Sequence, residues 1–246
     1  MNSTRTTAVV AGVLFLITEV AAVAGLLLYQ PVLTEMKYIV GAGSDGRVLL
    51  GGLLELVLVA AVIGTATTLY PVLERHGKSL ALGYLCARLL EGAVIAVGIV
   101  SVLSVVTLRR GRTGIDDPSL IAVSKALVAI HDWTFLLGPN FILGVNSLLL
   151  AALMYRSRLV PRRIAVLGLI GGPLICASAT AVLFGRYDQL STWGTIAALP
   201  VFAWEVSLAV YLIGKGFGRS VDDAPPVVCE QLNAAVIAGR GPAGSL

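Results

Sequence analysis

Five acidic residues and one arginine lie within long apolar stretches of this sequence: Glu19, Glu55, Arg88, Glu91, Asp132 and Glu205. A charged side chain at the centre of a transmembrane helix costs about 2.5–3.5 kcal/mol on insertion scales. Such groups therefore face the interior of a helix bundle, pair with one another or line a polar cavity. An excess of carboxyl groups over a single guanidinium predicts a site that holds a proton or cation, or that binds a cationic or hydroxylated molecule.

Arg88 and Glu91 are three residues apart, so a helix places them on one face, with Tyr84 one turn earlier. If this helix enters the membrane at residue 79, they lie about 13 and 18 Å deep and bracket the centre of the bilayer. Glu205 and Glu19 fall at a similar depth. We predict that Arg88 and Glu91 form the organising ion pair and that Asp132 or Glu205 is the exchangeable acid.

The stretch "HDWTFLLGPN" heads another apolar run and carries Asp132 and one further candidate, Asn140. Pro139 removes one backbone hydrogen bond and frees a carbonyl four residues earlier, which an Asn side chain can satisfy, and broken helices often mark transporter sites. The alternative is purely architectural: Asp132 caps the helix, Trp133 anchors it at the interface and Pro139 makes a kink. We favour that alternative for His131 and Trp133 and keep Asp132 and Asn140 as candidate ligand-binding residues.

Composition identifies the class of protein that positions these residues. The chain has 246 residues, is 57% hydrophobic and 13% charged, and has a mean hydropathy of +0.90, whereas a soluble domain carries about 25% charged residues. Apolar runs of about twenty residues match the thickness of the bilayer core. We therefore expect an all-α polytopic integral membrane protein with a six-helix transmembrane bundle. The predicted spans are residues 8–29, 48–70, 79–108, 132–154, 164–184 and 193–214.

Three other segments carry predictions of their own. Residues 117–130 begin with Asp117 and Pro118, a typical helix start, and we expect a short interfacial helix before the fourth span. Residues 216–246 are rich in Gly and Pro and are predicted to be a disordered cytoplasmic tail. The first span has a rival interpretation as a signal peptide ending in "AVAG", but Glu19 inside the run argues against cleavage.

Lysines and arginines in the loops predict the orientation. Nine lie on the side of the termini and six on the other, which favours cytoplasmic termini in an inner (plasma) membrane, although "RRGR" argues the other way. The most basic loop should attract anionic lipid. Its arginines are Arg156, Arg158, Arg162 and Arg163.

Several other functions find no support in the sequence. The net charge of +4 is spread over loops and forms no basic stripe interleaved with aromatics, so we expect no nucleic-acid partner. Neither HExxH nor GxSxG occurs, and only two histidines are present. The three cysteines have no spacing typical of a disulfide framework or metal site. We expect no enzyme activity, catalytic residue, cofactor or bound metal, although an all-carboxylate site for a hard cation stays open.

Five stretches are familiar from one bacterial membrane-protein family. They are "TAVVAGVLFLI" near the start, "LYPVLERHGKSLALGYLCARLLE", "DWTFLLGPNFILG", "YRSRLVPRRIAVLGLIG" and "KGF". Over residues 1–218 the chain resembles the family catalogued as domain of unknown function 4386. The resemblance implies a six-helix integral membrane protein, and it implies no activity and carries over no site residues.

Two functions remain open. In the first, the acidic cluster handles a small molecule or ion, in the manner of a transporter. In the second, the protein is a non-transporting structural or regulatory membrane component, whose polar residues fix helix packing and whose basic loop docks anionic lipid or a protein partner. Substrate, direction, coupling ion and oligomeric state do not follow from the sequence.

Overall fold

The computed structural model describes residues 3–35, 38–41, 45–111 and 117–218, and over these ranges the chain is helical and contains no strand. The long apolar runs account for this, since only helices satisfy every backbone polar group within a single membrane segment. The helices are α1 (Ser3–Thr34), α2 (Asp45–Arg110), α3 (Asp117–Phe135), a π-helical segment (Leu136–Ile142), α4 (Leu143–Ser157), α5 (Arg162–Leu183) and α6 (Thr192–Gly214).

Five continuous helices are long and apolar enough to cross a membrane. The sequence predicted six shorter spans, and the difference comes from α2, which holds both the second and the third. Of the predicted tail, residues 219–246 lie outside the described residues. At its start, the Gly218 N–H donates to the Leu159 carbonyl at 2.8 Å.

The helix α2 folds back on itself at Gly77, whose backbone leaves the helical conformation (φ 167°, ψ 86°). Its two arms, residues 45–76 and 78–110, lie antiparallel. A Cβ at Gly52 would lie 3.1 Å from Leu103 of the other arm, and one at Gly92 would lie 3.6 Å from Ile63. These pairs are centred near Gly77, as a helical hairpin requires. Each arm is about 48 Å long at 1.5 Å per residue.

The residues predicted to form a separate interfacial helix are instead the beginning of a continuous 41-residue helix that runs from Asp117 to Ser157. They pack lengthwise on the second arm of α2: the Ser101 hydroxyl donates to the Leu127 carbonyl, and Leu120 packs in the same apolar cluster as Val102. This packing favours continuation of the helix over a turn at the predicted span start. No cap separates Asp132 from the residues before it.

The two termini of the bundle meet at one end, which we call the Arg5 end. The Arg5 guanidinium donates to the Ile213 carbonyl at 2.7 Å and to the Gly214 carbonyl at 3.1 Å. A cation at these free carbonyls also complements the helix dipole. Gly216 then turns the chain with a left-handed φ of 77°, and a Cβ there would lie 2.9 Å from the Arg5 Nη1. The contact therefore ties α1 to α6.

A second clasp closes the opposite end, which we call the Tyr38 end. Asp45, which begins the first arm of the hairpin, accepts hydrogen bonds from Arg109 and Arg110, which end the second arm, and from the Tyr38 hydroxyl at 3.1 Å. The Arg109 guanidinium lies 4.6 Å from the centre of the Tyr38 ring. Burial raises the pKa of Tyr38, so its hydroxyl stays protonated and remains a donor.

Small residues bring α4, α5 and α6 into close contact. A Cβ at Gly168 would lie 2.7 Å from both the Ala151 Cβ and the Trp204 ring, and one at Gly172 would lie 2.6 Å from the Gly144 carbonyl oxygen. Gly168 and Gly172 form a G-x-x-x-G step, a spacing that lets helix backbones approach. These contacts hold the side of the bundle that faces the Arg88 cluster.

Candidate functional site

A cavity of about 240 Å³ lies in the middle of the bundle, close to the midpoints of the helices that surround it. At roughly 30 Å³ per molecule it has room for about eight waters. Most of its lining is apolar. The polar lining residues are Thr18, Glu19, Glu55, Arg88, Glu91, His131, Thr134, Asn140 and Glu205.

Six of the seven candidate site residues are brought together around this cavity, from five different parts of the fold. Glu19 comes from α1 and Glu205 from α6. Glu55 comes from the first arm of α2, and Arg88 and Glu91 come from the second. Asn140 comes from the π-helical segment. Each is polar within an apolar helix, and lining the cavity keeps it away from the lipid-facing surface.

Arg88 is the centre of a buried ion-pair cluster. Its Nη1 lies 3.1 Å from Glu91 Oε2 and its Nη2 lies 2.6 Å from Glu205 Oε1. The Arg88 residue is 1% exposed, and its two partners are nearly as buried. Such a geometry, with two charge-assisted hydrogen bonds, is what makes a buried guanidinium tolerable. The predicted Arg88–Glu91 pair is present here, with Glu205 as a second partner.

Three neutral side chains complete the surroundings of Arg88. The Tyr84 hydroxyl accepts from Arg88 Nε at 3.4 Å, and the Asn146 amide donates to Glu91 Oε2. The guanidinium also lies 5.4 Å from the centre of the Phe15 ring, a cation–π distance. Sequence reasoning placed Tyr84 on this stripe from its spacing, but Phe15 is an ordinary apolar residue and gave no signal.

Glu19 and Glu55 differ from the other two glutamates. Among the ion pairs of the described residues, none joins a Lys or Arg to either carboxyl group. Glu19 is partly buried beside Glu205, and Glu55 is 7% exposed, beside Tyr29 and His131. These two carboxyl groups are therefore the ones left to face the cavity without a fixed cation.

The π-helical segment forms one wall of the cavity, and Pro139 and Asn140 both line it. Pro139 has no N–H, and the Asn140 side-chain amide donates to the Phe135 carbonyl at 3.0 Å. This is the hydrogen bond that the sequence led us to expect near a freed carbonyl. π-helical turns are rare and frequently occur at functional sites.

Sequence reasoning made Asp132 a candidate site residue and favoured an architectural role for His131, but the structure places His131 at the cavity instead of Asp132. The Asp132 side chain is 63% exposed and does not line the cavity, so the structure does not bring it to the site. His131 is 4% exposed and does line the cavity, and its Nδ1 has no hydrogen-bond partner among the described residues. The Asp132 carboxylate lies 3.5 Å from that atom but outside hydrogen-bond geometry. The continuous helix decides which of these two neighbours points inwards.

Trp133 is 51% exposed on the outside of the bundle, whereas Thr134 lines the cavity, a role that sequence reasoning did not give it. Within the described ranges, no group of three His, Cys, Asp or Glu side chains is arranged to hold a metal ion. Cys86 is exposed and Cys176 is partly buried, while Cys229 lies outside those ranges.

The charge balance decides what the cavity can do. Four carboxyl groups and one guanidinium line it, and the guanidinium is already shared by two of the four. An ionised carboxylate left without a partner in a low-dielectric interior costs several kcal/mol. Protons or a bound cation therefore have to balance Glu19 and Glu55.

Comparison with known proteins agrees with the resemblance drawn from the motifs. The profile of a family described as domain of unknown function (DUF4386) matches residues 10–216. No curated protein and no solved structure matches the chain. The matched segment includes every residue that lines the cavity. The chain therefore belongs to the DUF4386 family.

Proposed function

We propose that this protein is a membrane protein that binds a small cationic molecule or ion in its acidic cavity, as a transporter-like carrier does. The observation that carries the proposal is that Glu19 and Glu55 face the cavity with no Lys or Arg paired to them. Ionisable groups kept inside a membrane protein at such a cost are generally functional.

The proposed topology has six spans. The two arms of α2 each exceed the roughly 20 residues that a span needs, and their antiparallel packing around Gly77 supports two crossings. Both termini then lie on the same side, in keeping with the contact of Arg5 with the end of α6. The excess of basic residues in the loops of that side supports a cytoplasmic location in the inner (plasma) membrane.

The basic loop at the Arg5 end supports a second, compatible role. Its four arginines are exposed, and Arg162 lies 5.0 Å from the centre of the Tyr155 ring. Exposed cations at a cytoplasmic interface attract anionic lipid headgroups by about 1 kcal/mol each. In the rival function, this docking is the whole role of the protein and the cavity residues only fix helix packing. The four arginines of this loop are Arg156, Arg158, Arg162 and Arg163.

A thermal-stability measurement separates the two functions. The purified full chain is melted in detergent with Na⁺, K⁺ or tetramethylammonium chloride at constant ionic strength. A cation that binds only the folded state stabilises it by about 2.7 kcal/mol at a hundredfold excess over Kd. We expect at least one of these cations to raise the melting temperature of the wild type.

The decisive comparison is between two double variants that remove the same number of carboxylates. Glu19→Gln/Glu55→Gln removes the two unpaired acids of the cavity, and we expect it to melt as a folded protein with no cation response. Glu35→Gln/Glu74→Gln removes two exposed acids that do not line the cavity, and we expect it to respond as the wild type does. An identical response of both double variants, or no response of the wild type, overturns the proposal.

A further inference from the structure

The cavity has an opening on the side of the bundle. Val23 of α1 and Phe202 of α6 both line the cavity, yet they are 53% and 46% exposed on the outer surface. A side chain that does both lies at the edge of an opening. The cavity therefore reaches the outer surface between these two helices.

This opening lies at the depth of the hydrocarbon core. Phe202 is ten residues from the start of α6 at Thr192, which is about 15 Å along the helix. At the Arg5 end the same two helices are in close contact, since a Cβ at Gly12 would lie 2.7 Å from the Ala209 carbonyl oxygen. A ligand that uses the opening thus arrives from the apolar part of the bilayer.

The chemistry around the two unpaired acids matches such a route. Phe135 and Phe202 line the cavity together with Glu19 and Glu55, and the remaining lining is mainly aliphatic. Aromatic faces and carboxylates together recognise ammonium ions, quaternary ones in particular. A divalent metal ion instead needs six to eight oxygen ligands in one shell, whereas no group of three His, Cys, Asp or Glu side chains in the described part of the chain is arranged to hold a metal ion.

A buried imidazole also lines the cavity. His131 is 4% exposed and contributes to the lining beside Glu55. Its Nδ1 has no hydrogen-bond partner among the described residues and lies 3.5 Å from the carboxylate of Asp132, which does not line the cavity. The imidazole thus adds a polar surface to the carboxylates, aromatic faces and aliphatic surface of the cavity.

We propose that the ligand is an amphiphilic organic ammonium ion, whose charged group lies by Glu19 and Glu55 and whose apolar part enters between Val23 and Phe202. This inference rests on the proposed cation-binding function and adds the class of ligand and its route. The cavity volume limits the part of the ligand held inside to on the order of ten non-hydrogen atoms.

The test compares two probes that carry the same charged group. Binding of tetramethylammonium and of benzyltrimethylammonium is measured by titration calorimetry on the full chain in phosphatidylcholine nanodiscs. Zwitterionic lipid avoids accumulation of either cation at a charged surface. We expect Kd for benzyltrimethylammonium to be at least about tenfold lower, because burial of two methylene equivalents already gives that factor. Glu19→Gln should remove the binding of both, and benzyl alcohol, which lacks the charge, should not bind.

Two tryptophan variants of α1 test the route. Val23→Trp narrows the opening, while Val20→Trp adds the same side chain one turn away, at a residue that is 69% exposed and does not line the cavity. We expect Val23→Trp to slow the association of benzyltrimethylammonium and raise its Kd several-fold. Val20→Trp should stay within about twofold of the wild type, as surface substitutions usually do. If Val23→Trp does not fold, Val23→Phe replaces it.

The outcomes distinguish this inference from the function on which it rests. If tetramethylammonium or Na⁺ binds as tightly as benzyltrimethylammonium, the amphiphilic ligand class is wrong and the cation-binding function stands. If the two tryptophan variants behave alike, the lateral route is wrong. If the folded wild type binds none of the probes, both proposals fall together.

Discussion

The four glutamates that line the cavity fall into two groups. In the paired group, Glu91 and Glu205 share Arg88, and the cluster is completed by Tyr84 and Asn146. In the unpaired group, Glu19 and Glu55 have no Lys or Arg paired to them among the described residues. Two glutamates of the bundle are thus held by an arginine, and two others have no fixed cation.

This difference indicates which glutamates stabilise the fold and which are available to bind a ligand. Breaking a buried ion pair is strongly destabilising, because one charge is left buried without compensation. A carboxyl group that no Lys or Arg pairs with adds no ion pair to the fold, and ionisable groups of this kind are generally retained for function at some cost in stability. Substitutions in the paired group should therefore lower the free energy of unfolding, whereas substitutions in the unpaired group should abolish the response to a cation.

The largest effect on stability is expected in the paired group. Arg88→Leu leaves Glu91 and Glu205 buried without their cation, which should lower the free energy of unfolding by about 3–5 kcal/mol. Detergent-solubilised protein should melt far below the wild type or fail to elute as a single species on size exclusion. Replacing the whole cluster with Arg88→Met/Glu91→Gln/Glu205→Gln should recover most of the loss, since it leaves no uncompensated charge. An Arg88→Leu variant as stable as the wild type would break the comparison.

An intermediate effect on stability is expected for a substitution in the helix packing that changes no glutamate of the cavity. Gly168→Ala places a Cβ 2.7 Å from the Trp204 ring, so two packed helices have to move, at a typical cost of about 1–3 kcal/mol. Gly83→Ala is the matched control, because a Cβ there makes an ordinary 3.6 Å contact with Leu149. Thermal melts should show Gly168→Ala below the wild type and Gly83→Ala at or above it. We expect Gly168→Ala to keep the rise in melting temperature on addition of a cation. That result would show that weaker helix packing alone does not abolish the cation response.

A smaller effect is expected at the π-helical wall. Asn140→Ala removes the donor to the Phe135 carbonyl, and one lost hydrogen bond of this kind costs about 1 kcal/mol. Chemical unfolding of Asn140→Ala and of Asn140→Gln, which keeps an amide donor, measures this. The wall is held by other contacts if Asn140→Ala unfolds at the same denaturant concentration as the wild type.

Much of the fold and of the site followed from the sequence for simple physical reasons. Apolar runs of about twenty residues predict membrane helices, and a polar residue inside such a run has few places to go except the bundle interior. That is why Glu19, Glu55, Arg88, Glu91, Asn140 and Glu205 could be grouped before their positions were known. The i,i+3 spacing of Arg88 and Glu91 likewise predicted their pairing.

The wrong predictions arose where the sequence does not determine the rotation of a helix about its axis or the residue at which the helix ends. A helix that starts at Asp117 and continues past residue 132 has no cap there, so its neighbours decide its rotation. They turn His131 inwards and leave Asp132 63% exposed. The role of Glu205 as an exchangeable acid stays a prediction. Its pairing with Arg88 did not follow from the sequence, because the two residues are 117 positions apart and spacing along one helix does not reveal such a contact.

The smallest effect on stability is expected in the unpaired group, where the sign of the change is informative. Glu19→Gln removes a cavity carboxyl group that no Lys or Arg pairs with among the described residues, so the free energy of unfolding should stay within about 0.5 kcal/mol of the wild type or rise. Glu205→Gln, which removes a direct partner of Arg88, should be clearly less stable under the same conditions.

The most direct test is therefore the melting temperature of Glu19→Gln beside the wild type, first without added cation and then with saturating tetramethylammonium or K⁺. We predict equal or higher stability in the absence of cation and no rise when it is added, while the wild type rises. A Glu19→Gln variant that is destabilised by more than about 1 kcal/mol and still responds to the cation would contradict this, because Glu19 would then be part of the architecture.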